Sequence, residues 1–449
     1  MEAKFFLHSL NLIKELCIGC SHCVSVCPTE ALRVKNGKST LIENQCVDCG
    51  ECMRACPTNA IKISNDDFEE IYGYKHRIAL IPSVFIGQFP DEISIQLIYS
   101  AILKLGFTHV YEAEQGLEII KSALPQYQSQ NQDSKPLLSI FCPAIVRLIQ
   151  VRFPSLVDNL VLQKPPFEIA AMFVQKELID AGAQEEEIGI FYITPCAAKT
   201  IAIKDPVGNY VSPVNGAINM DVFFNRTYSL IRKGGLNIDP SVYVSLPSID
   251  SILYSLTRGE LSIAKGRCLA IDEIHNVIGF LDKVESDEVK GIDYLELRAC
   301  DESCANGVLT VRNKFLTVER MQNLIKNSKN LNQPDSKPQF RAITEQSEYL
   351  IKNSAMDKVL PRDMMKLDDN IDMALQKMEK VSDILNRLPR VDCTLCGAPN
   401  CKSLAVDIMN GSATIEHCIF IQKMLEEKGE LTNRETAIKF KDIWGINKV

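Results

Sequence analysis

Two copies of one cysteine spacing, Cys17-x-x-Cys20-x-x-Cys23-x-x-x-Cys27-Pro28 and Cys46-x-x-Cys49-x-x-Cys52-x-x-x-Cys56-Pro57, restrict the N-terminal segment more than any hydrophobic pattern does. Three thiols in step, closed by a Cys-Pro, form the run that wraps two 4Fe-4S cubanes, the fourth Cys of each run ligating the other cluster. Cys17, Cys20, Cys23 and Cys56 are therefore assigned to one cubane, and Cys46, Cys49, Cys52 and Cys27 to its neighbour. Tandem zinc sites built from Cys-x-x-Cys pairs are the alternative, but zinc has no need of the third Cys or the trailing Cys-Pro. His22 lies between ligands whose places Cys already fills and is expected at the surface. A short hairpin-like stretch separates the runs.

Composition supports metal binding elsewhere in the chain too. The sequence holds 17 cysteines, and Met1 to Leu16 carries scattered charge with no apolar secretory segment. Cytosolic thiols stay reduced, so these cysteines read as metal ligands in a cytoplasmic protein rather than as a disulfide framework. The 449 residues suffice for about three domains. No apolar run approaches the ~20 residues of a membrane span. The net charge of −8, with no basic stripe, argues against a nucleic-acid partner.

Beyond a charged connector, Asp66 to Tyr74, strand and helix patterns alternate, as expected for a parallel sheet. His76 to Ile81 and His109 to Glu112 read as strands. Asp91 to Leu105, Pro165 to Ala181 and Phe224 to Lys233 read as helices, and Gln126 to Lys135 as a loop. Three apolar runs end in thiols. Leu137 to Phe141 leads into Cys142-Pro143, Ile188 to Ile193 into Thr194-Pro195-Cys196-Ala197-Ala198-Lys199, and Tyr294 to Leu297 into Arg298-Ala299-Cys300-Asp301-Glu302-Ser303-Cys304. Ligands of open α/β sheets gather at the carboxyl ends of the strands, so one metal centre built from three distant segments is expected. Cys268 has no cluster assignment and reads as a small buried hydrophobe.

Asn327 to Lys337 is a polar, Pro-containing linker, and Asp368 to Leu388 an amphipathic helix whose spacing means packing. Next comes Cys393-x-x-Cys396-Gly397-x-x-x-Cys401, with Cys418 after sixteen intervening residues. Its order is similar to the small 4Fe-4S modules of corrinoid iron–sulfur proteins. Tetrahedral zinc is the other reading, and the surrounding clusters favour iron. Gln422 to Val449 reads as charged helix without chemistry.

The single Cys-Pro, the Pro-Cys-x-x-Lys and the Ala-Cys-x-x-x-Cys, in that order, resemble the signature segments of the iron-only hydrogenases. The likeness runs through residues 1 to 330 and takes in Leu105-Gly106-Phe107 and Arg226-Thr227-Tyr228-Ser229-Leu230-Ile231. It implies an α/β fold class: a ferredoxin-like domain with two 4Fe-4S clusters (1–70), iron-hydrogenase-like α/β lobes (71–330), a linker and amphipathic helix (331–390) and a small helical 4Fe-4S domain (391–449).

By the same resemblance, Cys142, Cys196, Cys300 and Cys304 hold the cubane of an H-cluster, and Cys304 bridges to a di-iron subsite with CO, CN and dithiolate ligands. Lys199 hydrogen-bonds a cyanide of that subsite. The cofactors would then be four 4Fe-4S clusters and the di-iron group. The alternative reading is a plain cubane, with Lys199 an ordinary surface lysine.

Departures from the family pattern carry equal information. Active relatives place a proton-carrying Cys where this chain has Phe141, and a relay Glu where it has Ala202; neither replacement can pass a proton. Thr194 and Arg298 stand where methionines pack on the subsite, and the glycine-rich continuation after Cys304 is missing. Asp301 and Glu302 are either a different proton path or solvated acids.

These features point to a divergent, hydrogen-sensing hydrogenase with low turnover. It would exchange H2 with protons and electrons and pass electrons through its clusters to a redox or signalling partner. A non-catalytic multi-cluster protein of electron transfer or cluster assembly is the alternative.

Overall fold

The computed structural model describes residues 7–236, 248–328, 343–362 and 370–446. The chain divides into two compact units, residues 1–63 with 362–449, and residues 64–361.

In the first unit, β1 (Leu10–Leu12) pairs antiparallel with β4 (Ile61–Ile63), and β2 (Leu32–Lys35) with β3 (Lys38–Leu41). Asn36 and Gly37 both have positive φ, 50° and 71°, the backbone that a two-residue hairpin turn needs. The expected hairpin between the cysteine runs is therefore present. Its core joins Cys23, Val24, Leu32, Val34, Cys52 and Ile61, with Trp444 of the C-terminal segment packed against them.

That segment consists of helices Ile371–Arg387, Cys401–Met409, Ile419–Glu427 and Asn433–Trp444. Val381, Leu388, Leu404, Ala405 and Ile421 form its own core. The tail read as charged helix is two helices, broken where Glu426 bonds across to Thr436. Val34, Asn36 and Gly37 donate backbone hydrogen bonds to Gly397, Asp442 and Ile443 at 2.9, 2.7 and 2.9 Å. A side chain on Gly37 would meet the Trp444 carbonyl at 2.7 Å, so the approach needs glycine. Arg33, 4% exposed, pairs with Asp407 at 2.6 Å, and Glu30 accepts from Asn400 and Ser403 at 2.7 and 2.5 Å.

The second unit carries two parallel sheets. One has the order β6 (His109–Glu112), β5 (His76–Ile81), β8 (Ile188–Thr194), β9 (Gly216–Asn219). The other has the order β10 (Cys268–Ile271), β11 (Tyr294–Leu297), β7 (Leu137–Leu138). In register, Ile78 sits between Ile190 and His109, and Leu295 between Leu138 and Leu269. All seven residues of β8 are buried, as a central strand with both faces covered requires.

Several sequence expectations shift. Asp66 to Tyr74 is more than a connector, because Phe68 and Ile71 are buried and Phe68 stacks edge-on against Phe107. Gln126 to Gln130 belongs to the helix Leu117–Gln130, since Gln128 turns inward and bonds Lys265 through both its amide atoms. Cys268 is half-buried rather than buried, its thiol aimed at the Lys265 carbonyl. His22 is exposed, as expected. Of the linker, Asn327 and Ser328 close the helix Lys314–Ser328, and the remainder lies outside the described residues. Among the described residues no helix is long and apolar enough to cross a membrane.

Candidate metal centres

Four groups of thiols come together. Cys23 lies within electrostatic reach of Cys17, Cys20 and Cys56, and these four line one small cavity closed by Leu12, Ile18 and Ile61. Cys27 is instead a neighbour of Cys46, Cys49 and Cys52. Cys27 and Cys56 are thus exchanged between the two runs. In the C-terminal segment Cys396 neighbours Cys393 and Cys418, and Cys418 neighbours Cys401. Burial pushes the Cys396 thiol up to about 11 and those of Cys46 and Cys49 well above the usual value. Protein groups alone do not favour these thiolates. A bound cation reverses that, because a coordinating thiol is deprotonated.

The central group is assembled from both sheets of the second unit. Cys142 precedes the helix Pro143–Arg152 and Cys196 the helix Ala197–Lys204, each at the N-cap. The N–H groups of Ile145 and Lys199, at the third position of those helices, favour the two thiolates, and the positive helix ends add to this. The Pro-Cys-x-x-Lys spacing thereby folds Lys199 back over Cys196, since N-cap and third position face each other.

The third segment follows β11. The Ala299 N–H favours the Cys142 thiolate, Cys300 comes next, and Cys304 lies in the short helix Ser303–Asn306. Cys304 is a neighbour of both Cys142 and Cys196. Gly307 allows the fit, because a side chain there would meet the Pro195 carbonyl at 2.4 Å. Burial raises Cys196 to about 12 despite the nearby Lys199. Three thiols, those of Cys142, Cys196 and Cys304, meet in a dry pocket, with Cys300 in the segment that carries Cys304, and this donor set fits a soft metal group of the iron–sulfur kind.

Lys199 is no surface lysine, being 4% exposed. Its Nζ lies 3.6 Å from Cys304 Sγ, 3.3 Å from the Tyr192 hydroxyl and 4.5 Å from the Phe141 ring centroid. Burial opposes its charge, yet Cys304, Tyr192, Cys196 and Glu114 together raise its pKa above that of a free lysine.

Phe141 fills the pocket, 5% exposed and edge-on to Tyr254 at 5.1 Å. Arg298 covers it with its guanidinium carbon 3.6 Å from the centroid. Asp301 pairs with Lys314, and the Glu302 N–H bonds Asp272 at 3.2 Å, so neither lies on a freely solvated loop. Ala202, on the helix after Cys196, is buried and inert.

Reading the sequence missed the polar groups around this pocket. Glu260 and Glu296, both buried, flank Arg298 at 2.7 and 3.2 Å. Glu114, 4% exposed, accepts from Ser255 at 2.7 Å and from the Ser83 N–H at 3.0 Å. Burial raises its pKa above the usual carboxylate value. None of them stands at a fixed spacing from a cysteine, so no motif announces them.

Residues 75–220 match the family "Iron only hydrogenase large subunit, C-terminal domain", residues 16–61 the 4Fe-4S dicluster domain, and residues 388–420 an iron–sulfur cluster family. A curated relative, the NADP-reducing hydrogenase subunit HndD of Solidesulfovibrio fructosivorans, is 22% identical over 309 residues. That alignment takes in 63% of this chain and 47% of HndD, so the chain spans about half of its relative's length.

Among solved structures, a single-residue variant of the [FeFe]-hydrogenase HydA1 from Chlamydomonas reinhardtii aligns with a TM-score of 0.48 at 14% identity, over 63% of this chain and 93% of that one. The [FeFe]-hydrogenase HydA(ΔEFG) gives 0.46 at 14% identity over the same shares. The matched families are those of iron–sulfur proteins, and residues 75–220 are similar to the iron-only hydrogenase large subunit.

Proposed function

We propose that this chain is a hydrogen-sensing relative of the iron-only hydrogenases, with little turnover. Each of its four thiol groups would hold a 4Fe-4S cluster, and Cys304 would join the central cubane to a di-iron subsite. When bound, that subsite supplies the place where H2 exchanges with protons and electrons. The observation that carries the reading is the buried ammonium of Lys199 at 3.6 Å from Cys304 Sγ, inside the converged thiols. A fixed cation in a dry pocket favours an anionic ligand strongly.

The chain's own residues then limit the rate. Phe141 and Ala202 occupy the two relay positions and hold no exchangeable proton. Electrons would leave for a redox or signalling protein, in keeping with the relative's name as an NADP-reducing hydrogenase subunit.

One observation favours a second reading. Lys199 Nζ already donates to the Tyr192 hydroxyl and to Cys304 Sγ and lies over the Phe141 ring. A central site holding only a cubane, in a protein of electron transfer or cluster assembly, leaves that arrangement undisturbed.

Infrared spectroscopy after treatment with a synthetic di-iron complex bearing CO and cyanide separates the two. Bands of bound CO and cyanide that change under H2 are expected for the sensing function. Iron and sulfide at cubane stoichiometry without such bands would leave only the second reading.

A further inference from the structure

Arg298 is 1% exposed and is engaged on two of its three guanidinium nitrogens. Nε donates to Glu296 at 3.2 Å, and Nη2 donates to the Tyr254 carbonyl at 3.2 Å and lies 2.7 Å from a Glu260 oxygen. Nη1 has no partner, and neither has Ser303 Oγ, 2% exposed and adjacent to Cys304. A buried donor left unmet costs about 1–3 kcal/mol, yet both lie in the short turn that carries Cys300 and Cys304.

The surrounding carboxylates do not call for Nη1. Glu296 accepts from the Arg258 and Glu260 N–H groups at 2.8 and 2.9 Å, and Glu260 from Tyr294 and, at 2.8 Å, Ser139. Lys199 differs, its Nζ donating to Tyr192 and Cys304 and lying over the Phe141 ring. Arg298 lies within electrostatic reach of both Cys142 and Cys304. A guanidinium can hold carboxylates along one edge and present a second edge elsewhere, which an ammonium cannot.

We propose that Arg298, through Nη1, donates hydrogen bonds to the anionic atoms of the iron group held by Cys142, Cys196, Cys300 and Cys304. The acceptor is either a cluster sulfide or a cyanide ligand. Ser303 Oγ is the second donor. The assignment rests on these thiolates binding iron and does not require the di-iron subsite.

The test uses the full chain, grown with isotope-labelled arginine nitrogens and reconstituted with iron and sulfide alone. Pulsed electron paramagnetic resonance of the reduced protein reads the signal assigned to the central centre by its loss in Cys300→Ala. If sulfide is the acceptor, an arginine-nitrogen coupling is present in the wild type and lost in Arg298→Lys, which keeps a charge for Glu260 and Glu296. Arg298→Gln serves if the lysine variant fails to hold iron.

The unlabelled pair is then treated with the synthetic di-iron complex. If cyanide is the acceptor, its stretching band shifts between wild type and variant. Absence of both coupling and shift overturns the assignment, as does a coupling that survives in the variant. Failure to take up the di-iron complex defeats the sensing function and leaves the coupling to decide Arg298.

Discussion

Phe141, which by the resemblance stands at the place of a relay thiol, presents a ring that two cations approach, at 3.6 and 4.5 Å from its centroid. Such contacts gain strength where water is absent, so the ring anchors Arg298 and Lys199, and under the proposed function it also blocks proton transfer. Phe141→Cys alone should raise hydrogen evolution less than about tenfold, because Ala202 still breaks the relay. The double change to Cys and Glu should approach the ~10²-fold that a positioned proton carrier contributes. Gas chromatography of the loaded protein measures both, and a wild-type rate equal to that of a relay-bearing hydrogenase contradicts the proposal.

Glu168 gives a prediction about pH. Fully buried and hydrogen-bonded by Ser212 at 2.9 Å, it has its carboxyl pushed up to about 8 by burial, against about 4.3 when unfolded. Between these values the folded chain holds a proton that the unfolded chain has lost, so stability falls as pH rises through this window. Glu168→Gln should therefore gain stability relative to wild type at pH 8 but not at pH 4, read from urea midpoints. An equal difference at both values would refute the buried-acid account.

The thiols and Lys199 were legible in the sequence because iron ligation fixes their spacing. Arg298 was read as a departure, but its carboxylate partners were not foreseen, since Glu260 reaches it only through the fold.

At the scale of elements, β5, β6 and β11 match the strands read from the sequence residue for residue, although only β11 is buried along its whole length. The run to Phe141 gave a strand of only Leu137–Leu138, as the chain leaves the ladder early and the Phe141 N–H bonds Ser139 Oγ at 3.2 Å. The attachment of the last helices to β2 was invisible, since it is made largely of backbone bonds and one ion pair between residues far apart in sequence. Breaking a buried pair costs about 3–5 kcal/mol. Asp407→Asn should speed amide exchange at Val34, Asn36 and Gly37 by at least about a hundredfold, at 1.4 kcal/mol per tenfold. Unchanged protection there would show that the pair does not hold the segment.

For the whole molecule, the thiol groups make iron content a modular quantity. Cys418→Ala should remove about four irons and leave the other centres. Loss of zinc with unchanged iron would reassign the C-terminal group. The domain limits expected from sequence place residues 391–449 in a separate domain, whereas the chain's first and last segments share one compact unit. Sequence order conceals this, because the partners Arg33 and Asp407 are separated by nearly the full chain.

That closure also has a consequence in time. As the protein leaves the ribosome, Arg33 and the Asn36-Gly37 turn emerge long before Asp407 and Trp444 are translated. The β2–β3 hairpin is made before residues 64–361 are, with the backbone groups that bond the last helices open to solvent. Residues 397–444 are needed to cover it, so a product terminated before them would display an uncovered hairpin that quality-control proteases can recognise.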